Sequence, residues 1–340
     1  MSLAFPLPDP PPFGQPLELR PGLIWLRLPL NIGLDHINLW LLAEKDGGWS
    51  LIDCGLPSRD IRALWETMAT EVIKPGQLRR LIVTHHHPDH IGMAGWLVER
   101  FGVTVETTLP EFLSARALAT IGLDQHRAAA TRFYTAAGGD EALLTMVGGR
   151  GNFYSEYVPN LPAGYRRIDP GPGFRMGDRS WTVLTGEGHA PGMAMFWCED
   201  EHILIAADQV LPTISPNIGV WAGEPEADPL ARFLAGFPAL AALPDDTLVL
   251  PSHGLPFQGL QERLGVMEAH HHERLDAALE ACTGSTTAFG LLPVLFRRPL
   301  EGPQVLLAIA ESLAHLHYLK GKGLVTREMD AKGVHQFRRA

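Results

Sequence analysis

The sequence predicts an α/β protein with a helical insertion and a small C-terminal domain. Three observations carry this. Short apolar runs alternate with helix-like stretches through the first third of the chain. Residues from about 110 to 164 change texture, becoming rich in Ala, Thr and Arg at helical spacing. From about residue 261 a long polar helix leads into further helical segments and a Gly-punctuated ribbon.

The elements follow in order. Residues 1–19 are Pro-rich and predict an extended arm, with neither the basic start nor the apolar stretch of a secretory signal. Residues 20–262 form the main domain. "LIWLRLPL", "HINLWLLAE" and "WSLIDCG" are strands, the last two joined at "KDGG". "SRDIRALWETMATEVI" is a helix capped by Ser58. "RRLIVT" is a buried strand, "HIGMAGWLVERF" a helix and "VTVETT" a further strand. After the insertion, "SWTVLTGEGHA", "MAMFWCED" and "HILIAADQV" are strands, "DPLARFLAGFPALAAL" is a helix, and "TLVLPSHG" is a strand. In residues 263–340, the order of helix, helix and two-stranded ribbon is a winged-helix pattern.

Composition narrows the function. The chain has 340 residues, 28 Lys and Arg against 38 Asp and Glu, and a net charge of −10. Phosphate binding is dominated by Lys and Arg, so nucleic acid is an unfavoured partner. No apolar run approaches the ~20 residues that span a bilayer. Cys54, Cys198 and Cys282 are scattered singly, which fits a reducing cytoplasm.

The chemistry gathers where strands end. "THHHPDH" places His85, His86, His87, Asp89 and His90 on one loop directly after a strand. His189 in "GHAPG", Asp208 in "AADQV" and His253 in "PSHG" each end another strand. Five imidazoles and two carboxylates, setting His86 aside, suffice for two divalent ions with one carboxylate shared. Zinc suits such a mixed set, and iron and manganese suit it too.

This ordered set resembles the metallo-β-lactamase superfamily over roughly residues 20–260. "THHHPDH" looks like its T-H-x-H-x-D-H signature, "GHAPG" like its third motif and "PSHG" like its last histidine. Asp53 in "LIDCG" matches the family's first motif. The resemblance implies a four-layered αβ/βα sandwich with two metals at one edge. It implies His85, His87 and His189 on one metal and Asp89, His90 and His253 on the other. Asp208 would bridge them, and Asp53 would order the loop from behind. Asp89 and Asp208 are the expected catalytic carboxylates, acting with a hydroxide held between the ions.

Departures narrow this further. Asp208 stands where class B1 β-lactamases carry Cys, and His87 where flavo-diiron proteins carry a carboxylate. The ligand set is that of glyoxalase II-like thioesterases, lactonases and RNase Z-like nucleases, which share it. The acidic charge favours hydrolysis of a small acyl thioester, of acyl-glutathione or acyl-CoA type. Arg116, Arg127 and Arg132 of the insertion are expected to meet the anionic end of the carrier. A metal-dependent ribonuclease or a lactonase is the alternative, and a non-catalytic binding module the least favoured reading.

Some residues have plainer readings. His86 alternates away from the ligands and is expected to pack behind them. His270, His271 and His272 are consecutive on a helix, so they fan out and are expected on a solvated face. His36, Asn217 and Trp221 are candidate substrate contacts. All seven ligand positions precede Thr283, so deletion from there is expected to spare the metal site.

Overall fold

A computed structural model describes residues 3–30, 33–74 and 76–340. Its first sheet has seven strands in the order β1 (Leu17–Arg20), β2 (Leu23–Pro29), β3 (His36–Ala43), β4 (Trp49–Ile52), β5 (Leu78–Ile82), β6 (Val105–Thr107) and β7 (Arg166–Arg167). Pairing is antiparallel from β1 to β4 and parallel from β4 to β7. The second sheet holds β8 (Gly171–Met176), β9 (Arg179–Gly186), β10 (Met193–Cys198), β11 (Ile203–Ala207) and β12 (Leu248–Pro251) in sequential order across the sheet. Only β11 and β12 pair in parallel.

The strand side chains alternate between two cores, as a period of two demands. Leu23 and Trp25 of β2, with Trp40 and Leu42 of β3, face the second sheet. They meet Trp181, Phe196, Ile203 and Ile205 there. Leu26, Leu28, Leu39 and Leu41 face the other way, onto Trp65 and Met68 of helix Arg59–Glu71 and Leu97 of helix Ala94–Phe101. Leu204 and Ala206 of β11 likewise turn outward, onto Phe233, Leu264 and Leu313 of three helices. Helix, sheet, sheet and helix therefore stack as four layers.

Local chemistry sets the element ends. Ser58 Oγ accepts from Ile61 N and starts the first helix. The helix expected over "HIGMAGWLVERF" divides into Pro88–Ile91 and Ala94–Phe101. Gly92 lies at the division, where a Cβ would stand 2.5 Å from Pro57 and 2.8 Å from the Tyr157 carbonyl. "DPLARFLAGFPALAAL" also divides, into Pro229–Ala235 and Phe237–Ala241, because Pro238 has no N–H with which to continue the ladder. The insertion carries helices Leu109–Thr120, Leu123–Ala136, Glu141–Gly149 and Phe153–Tyr157.

Three strands depart from expectation, one of them the two-residue β7 just past the insertion. β1 lies partly inside the Pro-rich arm, and Ala4 further up the arm bridges to Gln258. β8 contains "GPGF", which has turn composition, and the sheet tolerates it because β8 is an edge strand.

The C-terminal region comprises helices Leu260–Ala281, Leu292–Leu295 and Pro303–Gly321 and the antiparallel pair β13 (Val325–Met329) and β14 (His335–Arg339). Its helices share one apolar core with the outer face of the second sheet. Among the described residues, no helix is long and apolar enough to cross a membrane.

Candidate metal centre

Five strand exits converge at one edge of the sandwich. β4 delivers Asp53, β5 delivers the loop from Thr84 to His90, β9 delivers His189, β11 delivers Asp208 and β12 delivers His253. Strand ends collect such residues because the sheet fixes the backbone while the loop remains free in sequence.

The side chains form three overlapping groups. His85, His87 and His189 make one, His85, His90 and Asp208 the second, and Asp89, His90 and His253 the third. Within each, the candidate ligand atoms lie within 4.8 Å of one another. Asp208 stands between the outer two. Its Oδ2 lies 3.3 Å from His189 Nε2, and its Oδ1 lies 3.5 Å from His253 Nε2 and 3.6 Å from His90 Nε2. Asp89 Oδ2 is 3.3 Å from His253 Nε2 and 3.4 Å from His90 Nε2.

Hydrogen bonds behind the rings decide which nitrogen faces inward. His90 Nδ1 donates to Asp53 Oδ2 at 2.8 Å, His189 Nδ1 to the Asn217 carbonyl at 2.9 Å and His253 Nδ1 to the His36 carbonyl at 2.7 Å. Each leaves Nε2 turned to the centre. His87 instead presents Nδ1, 3.0 Å from His85 Nε2. Asp53 also accepts from Thr84 N and Thr84 Oγ1. It does so from a left-handed backbone, with φ 61°, and Ala207 just before Asp208 has φ 47°. Strained non-glycine residues of this kind cluster at functional sites.

The electrostatics divide the group in two. Burial, with neighbouring imidazoles, holds His85 and His87 well below the ordinary histidine range. Burial opposes the charge on Asp208, yet His253 and His90 keep its carboxyl well below the ordinary carboxylate range. Asp89 is also held low against burial, first by His90. Against the same cost of burial, Asp89, Asp53 and Asp208 hold His90 high, and Asp208 leads the groups that push His253 up to about 10.

Divalent cations fit this donor set. His90 Nε2, His189 Nε2, His253 Nε2 and Asp208 Oδ1 are buried without a hydrogen-bond partner. Buried polar atoms are nearly always satisfied, so four such atoms without a partner, drawn from the three overlapping groups, are matched to cations that would displace the ring protons. The set is imidazole and carboxylate only, because the Cys54 thiol is turned away to donate to the His90 carbonyl.

The other sequence candidates lie around this centre. His36 is buried, with Nδ1 on Asp35 and Nε2 accepting from Gly254 N at 3.0 Å, so its ring braces the His253 loop. Asn217 turns its side chain to Leu307 O and Glu311, away from the centre. Trp221 is exposed. His86 packs behind the candidate ligands as expected, its Nδ1 2.6 Å from Glu111 Oε2. The expectation for the triple histidine needs correction at one position. His271 is buried, because it points inward between the two long C-terminal helices and reaches Ser215 and His315. Consecutive helical residues differ by about 100°, so one of three can face inward while His272 stays exposed.

Sequence reasoning missed Glu111. Its buried carboxylate accepts from His86 N, His86 Nδ1 and Gly192 N, tying the insertion to the loops that carry residues 85–90 and His189. Its position in the first turn of a helix was the only local signal.

Comparison with known proteins agrees with this geometry. Residues 32–253 match the family model described as metallo-beta-lactamase superfamily, and residues 275–340 match the metallo-beta-lactamase-like C-terminal domain. The chain belongs to the metallo-beta-lactamase superfamily. It is similar to the crystal structure of a beta-lactamase domain protein from Burkholderia ambifaria, with 39% identity, a TM-score of 0.92 and coverage of 99% of this chain and 98% of that one. A metallo-beta-lactamase family protein from Thermus thermophilus is 31% identical with a TM-score of 0.79, covering 95% of this chain and 100% of that one. A probable metallo-hydrolase of Bacillus subtilis (strain 168) is 24% identical over 92% of this chain and 96% of its own length.

Proposed function

We propose that the chain is a dinuclear metal-dependent hydrolase of a small acyl thioester. The observation that carries the dinuclear reading is the overlap of the three groups, with Asp208 within 3.6 Å of imidazoles belonging to both outer ones. In this reading His85, His87 and His189 hold one ion, Asp89, His90 and His253 hold the other, and Asp208 lies between them. Zinc is the ion we favour. Divalent ions held there would supply Lewis acidity and a water acidic enough to ionise near neutral pH.

The chain's own residues do the rest. Asp89 and Asp208 provide the negative charge that draws cations into a buried site. Asp53, the Asn217 carbonyl and the His36 carbonyl keep three imidazoles aimed inward. The relative described as a probable metallo-hydrolase supports the reaction class.

Two features favour a thioester. Leu113 and Leu118 are exposed on the helix that carries Glu111, and Ile214 and Trp221 are exposed on the segment after Asp208. Apolar side chains on segments flanking the centre suit an acyl chain. A thiolate is also a good leaving group, since a thiol has a pKa of ~8.5, and it needs little help from a general acid. Two of the tail's cations, Lys320 and Arg327, are paired with Glu226, which leaves less positive charge there for a nucleic-acid phosphate. We place a winged-helix-like unit over residues 263–340 and a cytoplasmic setting alongside this reading.

Turnover of acyl-CoA and acyl-glutathione thioesters by zinc-loaded protein, beside a lactone and a structured RNA, tests the proposal. Thioester hydrolysis lost in Asp89→Ala and His87→Ala is expected. RNA or lactone turnover that responds to the same changes, with every thioester inert, would overturn the substrate class.

A further inference from the structure

Between β11 and helix Pro229–Ala235 the chain runs from Asp208 to Asp228 without a helix or strand. Segments of this length are uncommon inside compact domains unless they serve a function. This one is held along its length by the two long C-terminal helices. From Leu260–Ala281, Arg263 donates to the Leu211 and Ile214 carbonyls. His271 Nε2 on the same helix lies 3.2 Å from Ser215 Oγ. From Pro303–Gly321, Glu311 Oε2 and the Leu307 carbonyl accept from Asn217 Nδ2 at 3.3 and 3.4 Å. The Ala310 carbonyl accepts from Val220 N at 3.0 Å, and His317 Nδ1 donates to the Ala227 carbonyl at 2.8 Å.

Among these attachment points, Asn217 reaches the candidate centre directly. Its carbonyl accepts from His189 Nδ1 while its side chain is held by Glu311. Glu311 is fixed in turn by Arg274 Nη1 at 3.3 Å. A close approach next door keeps the segment against the helix, since a Cβ on Gly219 would stand 2.9 Å from Ala310 Cβ. The path from the C-terminal helix to the imidazole is therefore Glu311, the Asn217 amide, the Asn217 carbonyl and His189.

We propose that Glu311 is a positioning residue for His189, so that helix Pro303–Gly321 sets the metal affinity of the His85, His87 and His189 group. This rests on the metal reading above. From ligand positions alone, deletion from Thr283 would spare the site, whereas these contacts make the tail part of it. Partners behind a metal-bound histidine typically matter 10–100-fold in affinity. Glu311 acts one residue further out, so the lower end, about tenfold, applies.

The experiment is titration of metal-free, full-length protein with Co2+, reading visible absorption and the affinity of each equivalent. The variants are Asn217→Ala, Glu311→Ala, the double change and His317→Ala. His317 holds the same segment at its far end and reports general loosening. Asn217→Ala and Glu311→Ala are each expected to weaken one equivalent about tenfold and alter its spectrum. The double variant should be no weaker than either single one, because both cut the same tether. His317→Ala should lower the melting temperature while leaving both Co2+ affinities unchanged. Should Glu311→Ala fail to fold, Asn217→Ala on its partly exposed segment carries the test. Wild-type Co2+ binding in Asn217→Ala and Glu311→Ala, additive losses, or equal losses in His317→Ala would each overturn the proposal. An unaltered protein that takes up no Co2+ would instead remove the metal reading, and this inference with it.

Discussion

Asp53 Oδ2 and His90 Nδ1 stand 2.8 Å apart, both buried, and the same carboxylate accepts from the backbone and hydroxyl of Thr84. A carboxylate accepts at both oxygens, whereas an amide has only one accepting atom. Asn tolerates positive φ, so Asp53→Asn changes the hydrogen bonding without adding backbone strain. We expect it to weaken zinc binding by about 10–100-fold. It should also cost about 2 kcal/mol of stability in the metal-free protein. Calorimetric zinc titration checks the first effect and urea unfolding the second. An unchanged zinc affinity would show that His90 does not need this brace.

Asp208 faces His189 with one oxygen and His90 and His253 with the other. Without it, two cations held a few ångströms apart would repel each other with no charge between them. Asp208→Ala is therefore expected to retain at most one divalent ion per chain after dialysis, against two in the unaltered protein. Elemental analysis decides it, and a full pair of ions in the variant would refute a shared carboxylate.

The residues that converge on the candidate centre were legible because each follows an apolar strand, and strand ends are marked twice, by the run and by its polar stop. The same period of two made the two-faced burial of β2, β3 and β11 readable. What the chain did not disclose is contact between distant segments. Glu111 looks like an ordinary first-turn acid, and only folding brings it to Gly192 and His86. His271 resembles its neighbours His270 and His272 until the packing of Pro303–Gly321 decides which one faces inward. β8 was hidden because "GPGF" has turn composition, and its place at the sheet edge is a property of topology.

Glu111 offers a stability test distinct from the metals. Its carboxylate accepts from two backbone N–H groups, at 2.9 Å from His86 N and 2.8 Å from Gly192 N. Removing an acceptor from buried donors costs the desolvation of each, ~1–3 kcal/mol apiece. Glu111→Ala should lower unfolding free energy by about 3 kcal/mol in metal-free protein, with Glu111→Gln between it and the wild type. Denaturant titration measures this, and a loss under about 1 kcal/mol, the lower bound for a single stranded donor, would mean that water or a local shift takes over the carboxylate's role.

The buried imidazole pair predicts a pH dependence. His315 Nδ1 donates to the Glu311 carbonyl at 2.8 Å, so its Nε2 accepts from His271 Nδ1 at 3.4 Å, and His271 Nε2 accepts from Ser215 Oγ. Every ring nitrogen is used by two neutral rings, and a further proton on His271 would have to turn the Ser215 hydroxyl from donor to acceptor. Burial pushes His271 down to about 3 and His315 down to about 4, with His270 and Arg274 adding to the effect. Burial also pushes up the carboxyl of Glu311, one turn before His315, with Arg274 opposing it. An unfolded histidine titrates near 6.5, so below that pH the unfolded chain binds protons that the folded one refuses. The stabilisation is complete above about pH 6.5 and is lost as pH falls towards 4. The loss is on the order of 2 kcal/mol per histidine at pH 5. Unfolding of metal-free protein between about pH 5 and 8 should show this slope, and His271→Asn and His315→Gln should each flatten it. His85 and His87 are also held low and add to this slope, while His90 and His253, held high, oppose it above about pH 6.5, so the comparison is between the wild-type slope and each variant's. Identical slopes in the wild type and both variants would mean that the pair is protonated in the fold, and that the neutral chain from Ser215 to Glu311 is not the form the protein adopts.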